Sequence, residues 1–592
     1  MKIVVFDFEV FKYDVLLGAI ELTGGEPTVF QSWNKEEIKS FYYKNQNSVW
    51  VGHNNTDYDN IILEAIIRGN NPYEVSQDIV NHIKRYYLNI KLNYYDIMSL
   101  HMTSLKTLEA SVGKRISETE VDFNLDRPLT EQEKLQTEVY NRDDLNQTLS
   151  DLKMVKSEFQ LRFDLIKEFN LSLDALHYTQ TQIAEAVLKV SPNKEITSIP
   201  VKPVIYDNLK VNNEEVLNYY LNEEFKTSKK LKINICGLEH LMGAGGIHAG
   251  RKCCTYDWAF YLDVSGYYNL VMINYNLFSR TLSEEGKKLY EFMYHEQLRL
   301  KKTNPVKRAI YKTILLAVFG AQMNEHCKFY DPWNGALVPV VGQMFLVDLL
   351  EKLDGKIELI QSNTDGIMVK PLEGVSEQEI LDIVDEWCNR TKFVIKPKKI
   401  YDIHQRDVNN YMYRDEDGQI HTKGEAVKYY ECWENPLLAD SYNSKEPIII
   451  HYGIVEYLMN GIKPEVTIVK YAKDLRMFQY ICKVQSYDYL TFEKSGKIMK
   501  LQKVNRCFAS KEVGMIYKVK PNKHDKYSNL PDQVFVWNED LSKLNPKLID
   551  YRYYAKRIYE RINEFKPNHF QKKSVQKTEK TGQLSLFDFT NN

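Results

Sequence analysis

The run Ile3-Val4-Val5-Phe6-Asp7-Phe8-Glu9-Val10 constrains the fold more than any other part of the chain. It reads as a buried strand, yet it carries two acids. Lying two apart on a strand, Asp7 and Glu9 point to one face. Buried carboxylates are costly unless positive charge sits between them. A divalent cation is the simplest answer. Further strands are expected near Ser48–Val51 and Leu92–Met98, and helices near Asp59–Arg68 and Glu131–Phe159. Strands alternating with helices imply an α/β layer architecture for about the first 160 residues.

A chain of 592 residues exceeds what one core supports, so several domains are expected. The net charge of −2 excludes a uniformly basic nucleic-acid coat. The charge is uneven, however. Residues 421–592 hold 29 Lys and Arg against 20 Asp and Glu, which leaves the rest of the chain acidic. An acidic front suits carboxylate-held metals, and a basic back suits phosphates. Eight cysteines without a C-x-x-C pair argue for a reducing compartment with neither a zinc site nor a disulfide framework. Asp7 and Glu9 come too early for a signal-peptide core, and no apolar run of about 18 residues is present to span a membrane.

Residues 153–190 are helical in pattern, 193–230 are polar and irregular, and Gly243-Ala244-Gly245-Gly246 marks a turn or a close backbone approach. Tyr261–Asp263 ends a strand. Ser283 caps a helix whose first turn is acidic, and Asn304 with Pro305 starts a second, giving a basic helical hairpin over 283–322. Residues 357–369 read as strand, turn, strand around Asn363-Thr364-Asp365-Gly366. The chain is then basic and tyrosine-rich to about Phe565, and residues 566–592 form a polar, Lys-rich tail ending in an apolar cluster. There are no internal repeats.

The segment Gly52 to Asp59 adds an acid at a strand-to-helix turn, and Tyr140 and Asp144, four apart, share a helix face. With Asp7 and Glu9 these groups can hold two Mg²⁺ ions, with Tyr140 orienting a water. Each piece is common alone. Their ordered combination resembles the three exonuclease motifs of proofreading DNA polymerases and the wider DEDD nucleases. The resemblance implies that Asp7, Glu9, Asp59 and Asp144 are metal ligands, supported by Asn55 and Tyr140.

A second set follows. Asp263-Val264-Ser265-Gly266-Tyr267-Tyr268-Asn269 resembles the D-x-x-S-L-Y-P motif of family B DNA polymerases, departing at Gly266, Tyr267 and Asn269. Lys312 to Gly320 keeps the spacing of K-x-x-x-N-S-x-Y-G, with Leu316 for Asn and Phe319 for Tyr. Asn363-Thr364-Asp365 resembles D-T-D with its first acid replaced. The resemblance implies that Asp263, Asp365 and the Val264 carbonyl bind two metals and that Tyr268 excludes a 2′-hydroxyl. It implies that Lys312, aided by Arg308, meets the triphosphate. Lys301 fits the lysine of the hairpin's first helix, although Gln297 stands where the accompanying Arg is usual. Gly245 and Gly246 resemble the glycine motif that steers template, and Tyr411 and Lys423 a primer-side segment.

Taken together, the resemblance implies an α/β and α+β multidomain chain, an RNase H-like exonuclease followed by a right-hand polymerase. The exonuclease would occupy residues 1–160 and a connecting region leading into the palm 161–255. The palm would follow at 256–282 and 323–425, the fingers at 283–322, the thumb at 426–565 and a tail at 566–592. The implied function is replicative DNA-dependent DNA synthesis with 3′→5′ proofreading, using two Mg²⁺ per site, with Mn²⁺ as an alternative. The implied partners are primer–template DNA and dNTPs, with no membrane. A monomer in a bacterial host's cytoplasm is expected, since the small size and the lack of the family's usual N-terminal domain resemble a bacteriophage enzyme. Gln583-Leu584-Ser585-Leu586-Phe587 resembles the peptide by which bacterial polymerases grip the sliding clamp. The rival readings are an exonuclease whose polymerase half has decayed into a DNA-binding clamp, a protein-primed polymerase and a non-enzymatic DNA-binding protein. Asn363 and Leu316 favour the decayed form, and intact Asp263, Lys312 and Asp365 oppose it. The short spacings between these three leave little room for the insertions of protein-primed relatives. The two ordered acid sets oppose a purely binding role.

Overall fold

The structure, a computed structural model, describes residues 2–116, 118–119, 121–221, 230–243, 245–512 and 514–567. The chain divides into two compact units. The first holds residues 1–178, 431–450 and 470–555, and the second holds 179–430, 451–469 and the residues from 556 onward. The clamp-type peptide Gln583, Leu584, Leu586 and Phe587 lies outside the described residues. Among the described residues no helix is long and apolar enough to cross a membrane.

The first unit is built on a five-stranded sheet of β1 (Ile3–Val10), β2 (Val15–Leu22), β3 (Thr28–Ser32), β4 (Val49–Gly52) and β5 (Asn93–Asp96), in the order β3-β2-β1-β4-β5. Strand β1 pairs antiparallel with β2 and parallel with β4, so helical crossovers must cover the faces. On one face Phe6, Phe8 and Trp50 pack with Ile38, Phe41, Ile61 and Ile62. On the other, Val5, Val51 and Tyr95 pack with Leu145, Leu152 and Phe159. Residues alternate along β1, so Asp7 and Glu9 share the face of Val5, the one covered by the helix Glu131–Met154. That helix opens on a capping box of Thr130 and Glu133. The helical pattern over 131–159 is in fact two helices. Val155 leaves helical dihedrals and is buried with Leu108 and Leu437, and Lys156–Phe169 follows.

The second unit has a nine-stranded sheet in the order β14-β13-β12-β9-β11-β10-β8-β7-β6. Its strands are β6 (Leu231–Ile235), β7 (Leu238–Gly243), β8 (Gly246–Gly250), β9 (Cys254–Asp263), β10 (Ile357–Asn363), β11 (Gly366–Pro371), β12 (Lys398–Asp407), β13 (Asn410–Arg414) and β14 (Ile420–Lys423). The helix Pro332–Leu353 is buried almost all round, which its near-continuous apolar sequence requires. One acid inside it, Asp348, is fully buried and held by Arg390 at 2.7 Å and by the Lys210 N–H at 2.8 Å. The helical hairpin forms as its caps dictate. Ser283 accepts from the Gly286 N–H ahead of Glu284–Arg299, and Asn304 accepts from the Lys307 N–H ahead of Pro305–Ala321.

The C-terminal part of the first unit adds two small sheets. One has the order β15-β18-β21, from β15 (Tyr480–Lys483), β18 (Val504–Ala509) and β21 (Val534–Val536). The other has the order β17-β16-β19-β20, from β16 (Tyr489–Lys494), β17 (Lys497–Lys500), β19 (Met515–Lys520) and β20 (Lys523–Lys526). Arg506 on β18 ties this part to the N-terminal layers. Fully buried, its guanidinium donates to the carbonyls of Ala110 (3.0 Å), Lys114 (2.7 Å) and Glu539 (3.0 Å). Replacing it by Met removes all three of these hydrogen bonds, one of them fully buried. Arg506→Met should destabilise the first unit by about 3 kcal/mol in denaturant titrations, whereas Arg115→Ala, at an exposed ion pair, should cost under about 0.5 kcal/mol.

Candidate functional site

Two carboxylate groups emerge, one in each unit. In the first unit, ligand oxygens of Asp7, Glu9 and Asp144 all lie within 4.8 Å of one another. The helix carrying Asp144 comes this close because residue 18, opposite Asp7 on β2, is glycine. A Cβ there would sit 1.7 Å from the Asn141 amide oxygen. Asn141 in turn donates to Asp7 at 2.9 Å. Asp59, at the first turn of the helix Asp59–Arg68, accepts the Phe8 N–H at 3.0 Å, which fixes it beside the same strand. Tyr140 lies against Asp144 one helical turn away.

The electrostatics are those of crowded, buried acids. Burial, then the neighbouring carboxylates, holds Asp7 well above the usual carboxylate range. Glu9 is raised by burial and by Asp144. Burial pushes Asp59 up to about 7, against the opposing pull of the Phe8 N–H. The structure adds a cation that the motifs do not name. Lys106 places its ammonium 2.6 Å from Asp144 and 3.2 Å from Glu109, and 4.7 Å from the centre of the Tyr140 ring. Glu109 is itself buried and pushed up to about 7 by that burial. The donor set is oxygen only, which suits a hard divalent cation such as Mg²⁺ rather than zinc. One ammonium cannot balance Asp7, Glu9, Asp59, Asp144 and Glu109, so the uncompensated charge fits a bound metal.

Asn55 is fully buried, but its amide donates to Asn60 at 3.2 Å rather than to the acids. Asp96 has a different part. It accepts from the backbone N–H groups of Asn54, Thr56 and Met98 at 2.9–3.0 Å and so shapes the turn before Asp59. Neither Lys106 nor Asp96 belongs to a spaced motif. The one sequence sign of Lys106 is the serine cap at Ser104, which starts a short helix beneath it.

In the second unit Asp263 ends β9 opposite Gly366 of β11, and the Val264 N–H donates to the Asp365 carbonyl at 2.8 Å. Gly366 permits this approach, because a Cβ would lie 2.9 Å from the Leu262 carbonyl oxygen. Burial and then Asp365 push Asp263 up to about 6, while Lys398 and Lys423 pull it down. Gly246, with φ +152°, packs on the acid turn. A Cβ there would meet the Thr364 hydroxyl at 2.8 Å. The Gly245 carbonyl accepts the Tyr268 hydroxyl at 3.1 Å, and the Tyr268 ring centre lies 4.4 Å from that of Phe319. Tyr267, by contrast, is buried with its hydroxyl on the Gly342 carbonyl.

Lys312 and Leu316 share an exposed face of Pro305–Ala321, Arg308 is half-buried one turn earlier, and Lys301 is exposed in the connection before it. Tyr411 is a core residue, packed with Ala259, Ile360 and Met368 and adjoining Tyr261. Lys423 pairs with it across β13 and β14 and is exposed. Lys398 and His248 are additions that sequence spacing does not mark. Lys398 acts on Asp263, and His248 adjoins both Asn363 and Asp365.

No protein-family model matches the chain, and no curated protein matches it. Among solved structures it is similar to the family B DNA polymerase from the hyperthermophilic archaeon Pyrobaculum calidifontis. The two share 14% identity at a TM-score of 0.41, over 95% of this chain and 78% of that one.

The first cluster makes stability depend on pH. An acid whose folded-state pKa is raised binds its proton more tightly in the folded chain. Its contribution is whole below the ordinary carboxylate range and is lost as pH rises through its folded value. For Asp59 and Glu109 that value is about 7. In chelator, the melting midpoint of the first unit should therefore fall between about pH 5 and about pH 8. Added Mg²⁺ should restore it at the upper end, and Asp59→Asn should flatten the profile. A flat wild-type profile in chelator would show that these charges are balanced within the protein.

Proposed function

We propose that the chain is a DNA-dependent DNA polymerase of the family B kind with 3′→5′ proofreading exonuclease activity. The carrying observation is that acids remote in sequence converge at two places, Asp7, Glu9 and Asp144 in one and Asp263 beside Asp365 in the other. Bound at each place, two Mg²⁺ ions, or Mn²⁺, would stabilise charge on the attacking and leaving oxygens of a phosphodiester.

In the exonuclease reading Asp7, Glu9, Asp59 and Asp144 hold the metals. The Tyr140 hydroxyl, against Asp144, orients the water that attacks the terminal phosphodiester, and a dNMP leaves. Lys106 fixes Asp144 in place. In the synthetic reading Asp263, Asp365 and the Val264 carbonyl hold the metals, and the primer 3′-hydroxyl attacks the α-phosphate of a dNTP with pyrophosphate leaving. Lys312, Arg308 and Lys301 offer their charges to the triphosphate. Tyr268, tethered through its hydroxyl to Gly245, presents its ring where a 2′-hydroxyl would collide. The glycines at 245 and 246 let template phosphates approach the backbone, and Lys423 meets the primer strand with Tyr411 behind it. The exonuclease, palm, fingers and thumb boundaries given above, the clamp-binding tail, the monomeric state and a bacterial-host cytoplasmic setting are parts of the same proposal.

The two activities should separate. Asp365→Asn should lower primer extension at least about a hundredfold and leave removal of a 3′-terminal nucleotide intact. Asp7→Ala with Glu9→Ala should do the reverse. Loss of both activities in each folded variant would overturn the two-site reading.

Sugar selection gives an independent check. Tyr268→Ala should raise ribonucleotide incorporation relative to deoxyribonucleotide by about tenfold or more, and Tyr268→Phe should leave the ratio near that of the wild type. An unchanged ratio in active Tyr268→Ala would remove Tyr268 from this role.

A further inference from the structure

The first unit contains a half-open recess of about 260 Å³ remote in sequence from the carboxylate motifs, between the loop after β20, strands β15 and β19 and the turn around Tyr442. Three lysines line it, Lys445, Lys483 and Lys518, and no Asp or Glu does. Three tyrosines, Tyr442, Tyr480 and Tyr527, form much of the remaining wall.

Lys483 is half-buried, and among the described residues it makes no ion pair. Its ammonium lies 5.5 Å from the centre of the Tyr442 ring, within reach of that aromatic face. Burial pushes this lysine below its ordinary value, against the opposing pull of Asp440, which does not line the recess. Lys518 is placed likewise, 5.3 Å from the Tyr527 ring centre and 4.7 Å from that of Tyr487. The acid opposite it, Asp525, is already bonded to Lys523 and Tyr487. The Tyr527 ring is fixed by the Lys483 N–H, which donates to its hydroxyl at 3.1 Å. Two lining residues, Gln485 and Asn529, adopt left-handed backbone with φ of +54° and +67°.

The positive charge continues past the recess. Lys520 and Lys523 join Lys518 around Tyr487, each within 5.5 Å of its ring centre. A basic track interleaved with aromatic rings is the arrangement that binds the phosphates and bases of a single nucleic-acid strand. A recess this small cannot admit a duplex, whose bases are stacked and paired. A free nucleotide would use the recess but leave the track beyond it unused.

We propose that this recess and the adjoining Tyr487 lysines bind single-stranded DNA, with one nucleotide seated in the recess, its phosphate on Lys483 and Lys518. The choice of DNA rests on the function proposed above. The test is fluorescence anisotropy of the full-length protein in chelator, which stops catalysis, using a labelled oligo(dT) strand and a labelled blunt DNA hairpin. Lys483→Gln should weaken the oligo(dT) complex about five- to tenfold, with a shallower salt dependence, and leave hairpin binding within about twofold. Lys445→Gln, at an exposed position where folding is not at risk, should weaken oligo(dT) about twofold. Unchanged oligo(dT) affinity in both variants, or equal losses on strand and hairpin, would overturn the proposal. Displacement of oligo(dT) by equimolar dTMP would assign the recess to a free nucleotide and overturn it as well. Binding is read without turnover, so an inactive protein that shows the expected losses counts against the polymerase reading alone. An active one without those losses counts against this proposal alone.

Discussion

Carboxylates on a buried strand are the constraint on which the first unit turns. Asp7 and Glu9 cannot leave the interior without moving β1, the middle strand of its sheet. Solvent relieves their repulsion only in part, since Glu9 is buried, Asp7 is half-buried and burial is the largest cause of their raised pKa values. Everything near them answers that charge. Asn141 donates to Asp7, the Phe8 N–H donates to Asp59, and Lys106 reaches Asp144. These partners are too few to neutralise the group. A buried charge left unbalanced in this way lowers stability unless a ligand supplies the balance. The cost in stability and the capacity to hold a cation are thus one property.

Glycine supplies the geometry at both places. At Gly18 the missing side chain lets a helix close on two strands, and at Gly366 it lets β11 close on the end of β9. A Cβ at position 18 would press on Asn141 and Leu145 of the helix that carries Asp144, and one at 366 on the Leu262 carbonyl and the Asp263 backbone. Neither glycine needs an unusual backbone here. Each is required for space, so neither stands out in the sequence as a turn glycine does.

This difference shows what the sequence makes legible. Asp7, Glu9, Tyr140 and Asp144 can be read because strand and helix periods fix which residues share a face. The caps at Ser283 and Asn304 can be read because capping needs particular side chains just ahead of a helix. Lys106 and Asp96 cannot, since each is a single residue in a short element whose position depends on tertiary packing. Arg506 is hidden for another reason. It is paired with backbone carbonyls, and those carry no sequence. For the same reason the packing of residues 470–555 into the unit that begins the chain is invisible to composition, which marks the segment only as basic and tyrosine-rich.

Asn363 shows how a departure from a motif can be absorbed locally. Its side-chain oxygen accepts the Thr364 N–H at 2.8 Å, which holds the turn that carries Asp365, and His248 lies against it. A carboxylate at 363 would keep the turn bond but place a third negative charge beside Asp263 and Asp365. It would also draw a proton onto His248, whose burial now favours the neutral ring. The amide keeps the hydrogen bonds and removes the charge. The second cluster is thereby left with two acids, of which Asp263 feels Lys398 and Lys423, whereas the first gathers Asp7, Glu9, Asp59, Asp144 and Glu109, with Lys106 bonded to Asp144 and Glu109. Asp263 is raised to about 6, while Asp7 and Glu9 are raised well above the usual carboxylate range by burial and by the neighbouring acids. The two places therefore differ in how far the protein itself disfavours their charged form, and it does so more where the acids are more deeply buried.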